Sequence, residues 1–281
     1  MAIRPRGQPP RVRRGRARPA GEGDRVSVNY PRELGRAFAD VEVVRNYIYR
    51  PPYPAEVFTV LKGLLTSPRT VLDAGCGSGA MTRGLAAFAS RVDAVDPSEA
   101  MLREARRLTG NEPRIRWILG NAEDAPLAPP YGLITAGASI HWMDPEVVMR
   151  RFRDALTSGA LLAIVDMENV HPEGPNRDEF LSVIRRHSAL EHHDDFAALI
   201  ASLERTGHFA REGDHRTRPV PFEQSVDDYM AMLASTSSLS RATLGERADA
   251  FEREARAVLA RHHIDRIRFD VVGVVAWGRP S

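Results

Sequence analysis

One stretch of this sequence restricts the possible folds more than any other. Residues 71–79 read Val-Leu-Asp-Ala-Gly-Cys-Gly-Ser-Gly, a short apolar run that leads into a glycine-rich turn and then into a helical pattern. Glycine lacks a Cβ atom, so the backbone of such a turn can bend tightly and approach a ligand closely. The helix that follows directs free N–H groups and the positive end of its dipole at the same place. This order of strand, glycine turn and helix predicts a ligand-binding α/β unit.

The alternation of strands and helices continues on both sides of this stretch. Short apolar runs predict strands over Thr70–Ala74, Arg91–Val95, Ile115–Leu119, Gly132–Ala136 and Leu161–Val165. Helical spacing of apolar residues predicts helices over Ala55–Leu65, Gly79–Phe88, Ser98–Leu108 and Pro145–Leu156. Such alternation is typical of a parallel sheet with helices on both faces and right-handed crossovers.

After residue 168 the pattern changes to longer helical stretches. Helices are predicted over Asp178–Leu190, Asp195–Thr206, Ser225–Ala234 and Thr243–His263, and strands over His215–Val220 and Arg268–Trp277. Thr243, with Glu246 three residues later, has the sequence of a capping box. We therefore predict a doubly wound, mostly parallel sheet of seven strands. Residues 26–281 form one domain in this prediction, with a core at 45–168, cap helices and the sixth strand at 169–263, and the last strand at 264–281.

The first 25 residues differ from the rest in composition, and we expect them to form a disordered arm. Residues 1–20 contain seven arginines, no acidic residue and almost no apolar side chain that would offset the cost of ordering the chain. The arm lacks the apolar stretch of a secretion signal. Two interpretations stay open: a nonspecific contact with polyanions, or an untranslated leader with the true start at Val26 or Val28.

Composition excludes several classes of function. The formal charge is +2, and without the seven arginines of the arm 32 basic residues stand against 37 acidic ones, which leaves −5. We therefore expect no specific nucleic-acid partner. No apolar run approaches the roughly 18 residues of a membrane span, and the single Cys76 cannot form an internal disulfide. The single cysteine favours the cytoplasm, and the use of arginine for all but one of the 39 basic residues favours a bacterial source. His192 and His193 are adjacent and point apart on a helix, so we expect no metal.

Polar residues follow the second and third predicted strands. Asp96 lies 21 residues after Gly75, where a carboxylate reaches the ribose hydroxyls of a bound nucleoside. Asn121 and the backbone of Ala122 lie where they can bind the edge of an adenine. Residues 75–80 also match the dinucleotide fingerprint with Ala in the last place, so a nicotinamide cofactor stays open at this point.

Taken together, these motifs resemble those of the class I S-adenosylmethionine-dependent methyltransferases. The motifs are Asp-Ala-Gly-Cys-Gly-Ser-Gly at 73–79, Val-Asp-Pro-Ser at 95–98 and Gly-Asn-Ala-Glu-Asp at 120–124. Arg-Pro-Pro-Tyr-Pro at 50–54 and Ala-Ser-Ile-His-Trp at 138–142 resemble the small-molecule branch that includes ubiquinone-pathway and trans-aconitate methyltransferases. The resemblance implies a Rossmann-like fold, methyl transfer to a small organic acceptor at oxygen, and a place in secondary metabolism. The alternatives are an NAD(P)-dependent oxidoreductase and a cofactor-binding protein or cyclase without methyl transfer.

The resemblance also implies which residues bind the cofactor, S-adenosylmethionine, which becomes S-adenosylhomocysteine after transfer. The glycine loop holds the methionine part, Asp96 binds the ribose, Asn121 and Ala122 bind the adenine edge, and Met101 packs near it. The family usually has Asp in place of Asn121, and an amide oxygen accepts from the adenine amino group as well. The full implied set is Arg50, Asp73, Gly75, Cys76, Gly77, Ser78, Asp96, Pro97, Met101, Asn121, Ala122, Glu123 and Ala138.

Two groups past the fourth and fifth strands are candidate catalytic residues, because acceptors meet the cofactor beyond the carboxyl ends of the strands. His141 can accept a proton near neutral pH, and Glu168 is a carboxylate. A hydroxyl acceptor benefits from such a base, whereas a carboxylate acceptor needs none. In the alternative interpretation His141 and Trp142 form a wall of the cofactor pocket, and Glu168 is a loop residue. Arg50 either pairs with the cofactor carboxylate or belongs to a stiff connector.

Overall fold

The computed structural model describes residues 32–190 and 195–281, so the predictions for the arm, for a start at Val26 or Val28 and for His192 and His193 lie outside the described residues. Within them, the chain forms an eight-stranded sheet flanked by helices. The strands are β1 Thr70–Ala74, β2 Arg91–Asp96, β3 Ile115–Leu119, β4 Tyr131–Gly137, β5 Leu156–Val170, β6 Phe209–Arg216, β7 Val220–Ser225 and β8 Arg266–Pro280.

The α-helices are α1 Val41–Asn46, α2 Ala55–Leu64, α3 Ala80–Ala86, α4 Glu99–Thr109, α5 Pro145–Ala155, α6 Pro175–His187, α7 Phe196–Arg205, α8 Val226–Ala234, α9 Arg241–Leu244 and α10 Ala248–Arg261. Short 3-10 helices span Arg32–Ala39, Tyr47–Tyr49, Ile140–Trp142 and Gly245–Arg247. None of the helices in these two ranges is long and apolar enough to cross a membrane. The same residues contain no cluster of His, Cys, Asp and Glu that would hold a metal.

The sheet is parallel except for one strand. Seven strands follow the order β3-β2-β1-β4-β5-β8-β6, and β7 pairs with β8 outside this order. β8 runs antiparallel to β5, β6 and β7. Side chains of adjacent residues on a strand point to opposite faces. Val71 and Leu133 accordingly pack with helices α2 to α4, while Leu72 and Ile134 pack with α5 and α7 on the other face. The doubly wound, mostly parallel sheet predicted from the sequence is confirmed.

A third hydrophobic cluster forms the cap. It combines side chains of α6, α8 and α10 with Phe269 and Val271 of β8. β5 and β8 are 15 residues long each, and they stay paired from Leu162 opposite Gly278 to Val170 opposite Asp270. The cap is therefore built on an extension of two strands of the core sheet.

The structure corrects two details after residue 168. The sheet has eight strands rather than seven, because the predicted strand His215–Val220 is the junction of two. Pro219 has no N–H to donate to a ladder, so β6 ends at Arg216 and β7 begins at Val220, and both pair with β8.

The second correction concerns the predicted capping box. Ser240 rather than Thr243 caps the helix there, since its side chain accepts from the Thr243 N–H at 3.2 Å. Gly245, with a φ of 56°, then ends that helix, and α10 starts only at Ala248.

Candidate functional site

A cavity of about 660 Å³ lies at the carboxyl edge of β1 to β4. In open parallel sheets this edge is where ligands bind. Nine of the residues implied by the sequence line it: Gly75, Gly77, Asp96, Pro97, Met101, Asn121, Ala122, Glu123 and Ala138.

The glycine loop after β1 is fixed by the end of β2. The N–H groups of Gly75 and Cys76 both donate to the Val95 carbonyl, at 2.8 and 2.9 Å. Gly75 has a φ of 70°, and a Cβ there would lie 2.4 Å from the Cβ of Ser139. Gly77 has a φ of 52°, but no heavy atom lies within 4 Å of its Cβ position. The loop is therefore packed tightly at its first glycine and leaves free space at its second.

Asp96 ties this loop to the helix that follows β2. Its carboxylate is buried and accepts from the N–H groups of Gly77 and Ser98, both at 2.8 Å. Burial raises the pKa of Asp96, and these two hydrogen bonds oppose the shift. The Ser98 hydroxyl in turn caps α4 by accepting from the Met101 N–H at 3.1 Å. The carboxylate at the expected ribose position is thus held in place from two sides.

Asp73 lies beneath the loop, outside the cavity lining. Its carboxylate accepts from the hydroxyls of Thr82 and Thr135, at 2.6 and 2.9 Å. Burial raises the pKa of Asp73 from 3.8 to about 6, and the two hydrogen bonds oppose the shift. Cys76 and Ser78 are also buried in the loop, and burial raises the pKa of the Cys76 thiol. All three belong to the framework of the turn.

The end of the cavity at β3 carries the residues expected at the adenine. Ala122 and Met101 are buried and supply an apolar floor, while Asn121 is exposed at the rim. The Asn121 carbonyl accepts from the Ala125 N–H at 2.8 Å and closes a turn. Glu123 accepts from the Asp144 N–H at 2.8 Å, which joins this turn to the start of α5.

Residues 32–47, which we call the N-terminal strap, cover the cavity. The Phe38 ring contacts Trp142 edge-on, with centroids 5.7 Å apart, and Tyr47 at 6.2 Å. The Ser98 hydroxyl donates to the Phe38 carbonyl at 2.8 Å, which anchors the strap to α4. Gly35, Arg36, Phe38 and Ala39 line the cavity together with Tyr47. The sequence did not predict that these residues line the cavity, because their role depends on contacts with residues distant in the chain.

The remaining candidates, His141, Arg50 and Glu168, do not line the cavity themselves. The His141 ring lies 4.7 Å from that of Trp142, which does line the cavity. Arg50 donates from Nε and Nη2 to the hydroxyl and carbonyl of Ser235, at 2.9 and 2.8 Å. Glu168 lies on the extension of β5 in an ion pair with Arg216 at 2.7 Å.

The residues present fit a bound nucleoside cofactor. The Asp96 carboxylate faces the cavity, the space beside Gly77 admits a ligand close to the backbone, and an apolar floor adjoins the β3 end. A family model described as a methyltransferase domain matches residues 71–159. These residues carry the glycine loop and the motifs at 95–98 and 120–124. These findings support a class I S-adenosylmethionine-dependent methyltransferase. The nicotinamide alternative is not favoured.

Two curated relatives of this methyltransferase are malonyl-[acyl-carrier protein] O-methyltransferases. The relative from Halalkalibacterium halodurans is 36% identical over 102 residues, which are 34% of this chain and 38% of that protein. The relative from Anoxybacillus flavithermus is 26% identical over 217 residues, 66% of this chain and 83% of that protein. The chain thus spans less than half the length of the first relative and most of the second.

A solved structure of a candidate type II methyltransferase from Anaeromyxobacter dehalogenans has the same fold. Its TM-score is 0.57 at 27% identity, and the alignment covers 82% of this methyltransferase and 97% of that chain. The cofactor of the class is S-adenosylmethionine, which accords with the fit of the cavity to a nucleoside.

Proposed function

We propose that the protein transfers the methyl group of S-adenosylmethionine to an oxygen of a small organic acceptor. The observation that carries this proposal is the cavity at the carboxyl edge of β1 to β4, with Asp96 at its wall and open space beside Gly77. S-adenosylmethionine supplies an electrophilic methyl group when it is bound. The protein's own contribution is to align the acceptor with that group and to exclude water.

The order of the strands gives the cavity a direction. Asn121 follows β3, Asp96 ends β2, Gly75 follows β1 and Gly137 ends β4. Neighbouring strands are about 4.8 Å apart, so this row extends over about 14 Å. We propose that the adenine lies at Asn121, the ribose at Asp96 and the methionine part at the glycine loop. The acceptor then approaches from the side of β4 and β5.

The assignment of oxygen rests on the relatives and on the groups available. Both curated relatives are named as O-methyltransferases of a malonyl group. A carboxylate attacks without losing a proton, whereas a hydroxyl needs a base. We propose His141, which lies beside Trp142 at the end of β4, as the proton acceptor for a hydroxyl substrate. Glu168 is held by Arg216 further along β5, and we propose no role for it in proton transfer.

The test combines binding with product analysis. Calorimetry should show that S-adenosylhomocysteine binds and that NADH does not. Radiolabelled S-adenosylmethionine is then incubated with a panel of malonyl thioesters, free dicarboxylic acids, phenols and amines. Methyl esters, which alkali releases as methanol, or methyl ethers are the expected products. Binding of NADH without S-adenosylhomocysteine would contradict the cofactor, and methylation of amines alone would contradict oxygen as the acceptor atom.

A further inference from the structure

Tyr53 does not itself line the cavity but is held against Gly137, at the β4 end of the cavity. It lies between Pro52 and Pro54, and a residue before proline is restricted to extended conformations. Its ring packs edge-on against Phe58 of α2, with the centroids 6.3 Å apart. Its hydroxyl lies 2.9 Å from the point where a Cβ of Gly137 would stand, and Gly137 lines the cavity. The absence of a side chain at Gly137 therefore leaves the Tyr53 hydroxyl beside the cavity end.

Charged groups converge on this hydroxyl, but within residues 32–190 and 195–281 it makes no hydrogen bond. Asp166 follows Val165, the β5 residue that pairs with Gly137. Burial raises the pKa of Tyr53 well above its usual value, and the carboxylate of Asp166 adds to the shift while the Arg50 guanidinium opposes it. The phenol therefore keeps its proton at any working pH, so it can donate a hydrogen bond and cannot act as a base.

A phenol hydroxyl that donates to no protein atom is available to donate to a ligand. The adenosine contacts at Asp96 and the adenine floor lie two and three strands away from Gly137, on the other side of the glycine loop. In the arrangement proposed above, the acceptor occupies the next position along this row, beyond β4. A hydrogen-bond donor fixed at this position can bind the acceptor oxygen that receives the methyl group. In a carboxylate acceptor it can instead bind the second oxygen of the same group.

We propose that Tyr53 binds the acceptor of the methyl group, by donating a hydrogen bond from its hydroxyl to the acceptor's carboxylate or hydroxyl oxygen. Tyr53 thereby selects oxygen acceptors and orients them towards the cofactor. This inference rests on the proposed function. A competing role is a contact between Tyr53 and the carboxylate of the cofactor's methionine part, and the experiment separates the two.

The test compares Tyr53→Phe with Tyr49→Phe in the full chain. Tyr49 is the matched control because it lies four residues earlier and packs against the cap cluster rather than beside Gly137. Three quantities are measured: the thermal unfolding midpoint, the dissociation constant of S-adenosylhomocysteine, and kcat/KM for the oxygen acceptor that the wild type methylates in the panel above. The pH profile of kcat/KM is recorded for both variants.

For Tyr53→Phe we expect an unchanged unfolding midpoint, because the lost hydroxyl has no partner among the described residues. The affinity for S-adenosylhomocysteine should stay within twofold. The value of kcat/KM should fall by roughly tenfold to a hundredfold, as expected for one lost hydrogen bond to a charged or reacting group, without a change in the shape of the pH profile. Tyr49→Phe should leave all of these values unchanged.

Three results would overturn the inference while leaving the proposed function intact. These are an unchanged kcat/KM, an equal loss of affinity for S-adenosylhomocysteine, which would assign Tyr53 to the cofactor, and the loss of one limb of the pH profile, which would make Tyr53 a proton carrier. If the wild-type protein methylates none of the oxygen acceptors, the proposed function is contradicted. That result comes from the wild type alone and does not depend on the Tyr53 variant.

Discussion

Gly75 and Gly77 are both glycines with positive φ, but they serve different purposes in the same loop. A side chain at Gly75 would collide with Ser139, whose hydroxyl donates to the Ala74 carbonyl at 2.7 Å. Gly75 is therefore required by packing within the protein. A Cβ at Gly77 would meet no protein atom within 4 Å, so that side of the loop is available to a ligand. Substitution at Gly77 is the cleaner test of binding.

We expect Gly77→Ala to raise the dissociation constant of S-adenosylhomocysteine at least about tenfold, or about 1.4 kcal/mol, because the new methyl group occupies ligand space. The matched control is Gly110→Ala at the end of α4, where φ is 68° and no heavy atom lies within 4 Å either. Each variant should lose about 1 kcal/mol of stability, since an L-residue is strained at positive φ. Calorimetry and urea unfolding check both values. Equal affinities for S-adenosylhomocysteine in the two variants would contradict the role of the loop.

The ring of His141 gives a second prediction, which depends on the acceptor. With a hydroxyl acceptor, His141→Ala should lower kcat by about 10²–10⁴-fold because a base is lost. With a carboxylate acceptor the same variant should keep kcat within a few-fold, since no proton is removed. Steady-state kinetics with one acceptor of each kind, alongside the affinity for S-adenosylhomocysteine, make the comparison. A loss of similar size for both acceptors would mean that His141 shapes the pocket wall instead.

At the scale of elements, the sequence predicted the core strands closely and the cap less well. β1 to β4 are short apolar runs bounded by glycine, acidic residues or proline, so local pattern alone defines them. Asp96 and Asn121 could be placed for the same reason, because each follows a strand end. The capping motif at Thr243 failed because Ser240 already caps a helix there by accepting from the Thr243 N–H, and Gly245 ends that helix before Glu246. The strap could not be assigned to the cavity, because only its contacts with Trp142 and Ser98 bring it there.

The contact between Arg50 and Ser235 joins the strap region to the cap and can be tested directly. We expect Arg50→Lys to lower the free energy of unfolding by about 1–3 kcal/mol, because an ammonium group cannot reproduce both hydrogen bonds to the buried Ser235. Urea unfolding measures the loss, and Ser235→Ala, which removes one of the two acceptors, should lose less. A large fall in the affinity for S-adenosylhomocysteine without loss of stability would show instead that Arg50 binds the cofactor carboxylate.

At the scale of the whole molecule, one carboxylate makes global stability depend on pH. Asp73 lies in the middle of the sheet, on β1 between β2 and β4, and is almost fully buried. Its pKa is about 6 in the folded protein and near 3.8 when exposed. The folded state therefore binds more protons than the unfolded state between these two values. The stabilising contribution is complete below pH 3.8 and is lost as the pH rises through 6.

We expect Asp73→Asn to remove the loss of stability that the wild type shows as the pH rises. The difference in unfolding free energy between the wild type and the variant should therefore change by up to about 3 kcal/mol between pH 4 and pH 7. The amide can keep both partners, because the Thr82 and Thr135 hydroxyls donate or accept. Urea unfolding at several pH values in this range gives the result. Parallel stability curves for the two proteins would mean that Asp73 titrates normally.

The continuous pairing of β5 with β8 has a consequence for how ligands enter and leave. Closure of a cap about a hinge needs a connection whose backbone is free to rotate, but here the connection is a ladder of hydrogen bonds from Leu162 to Val170. Bending it would break the pairing that also holds the core sheet together. We therefore expect the cap to stay fixed during turnover, so that the rate of cofactor exchange is set by the opening of the strap at Phe38 and Trp142.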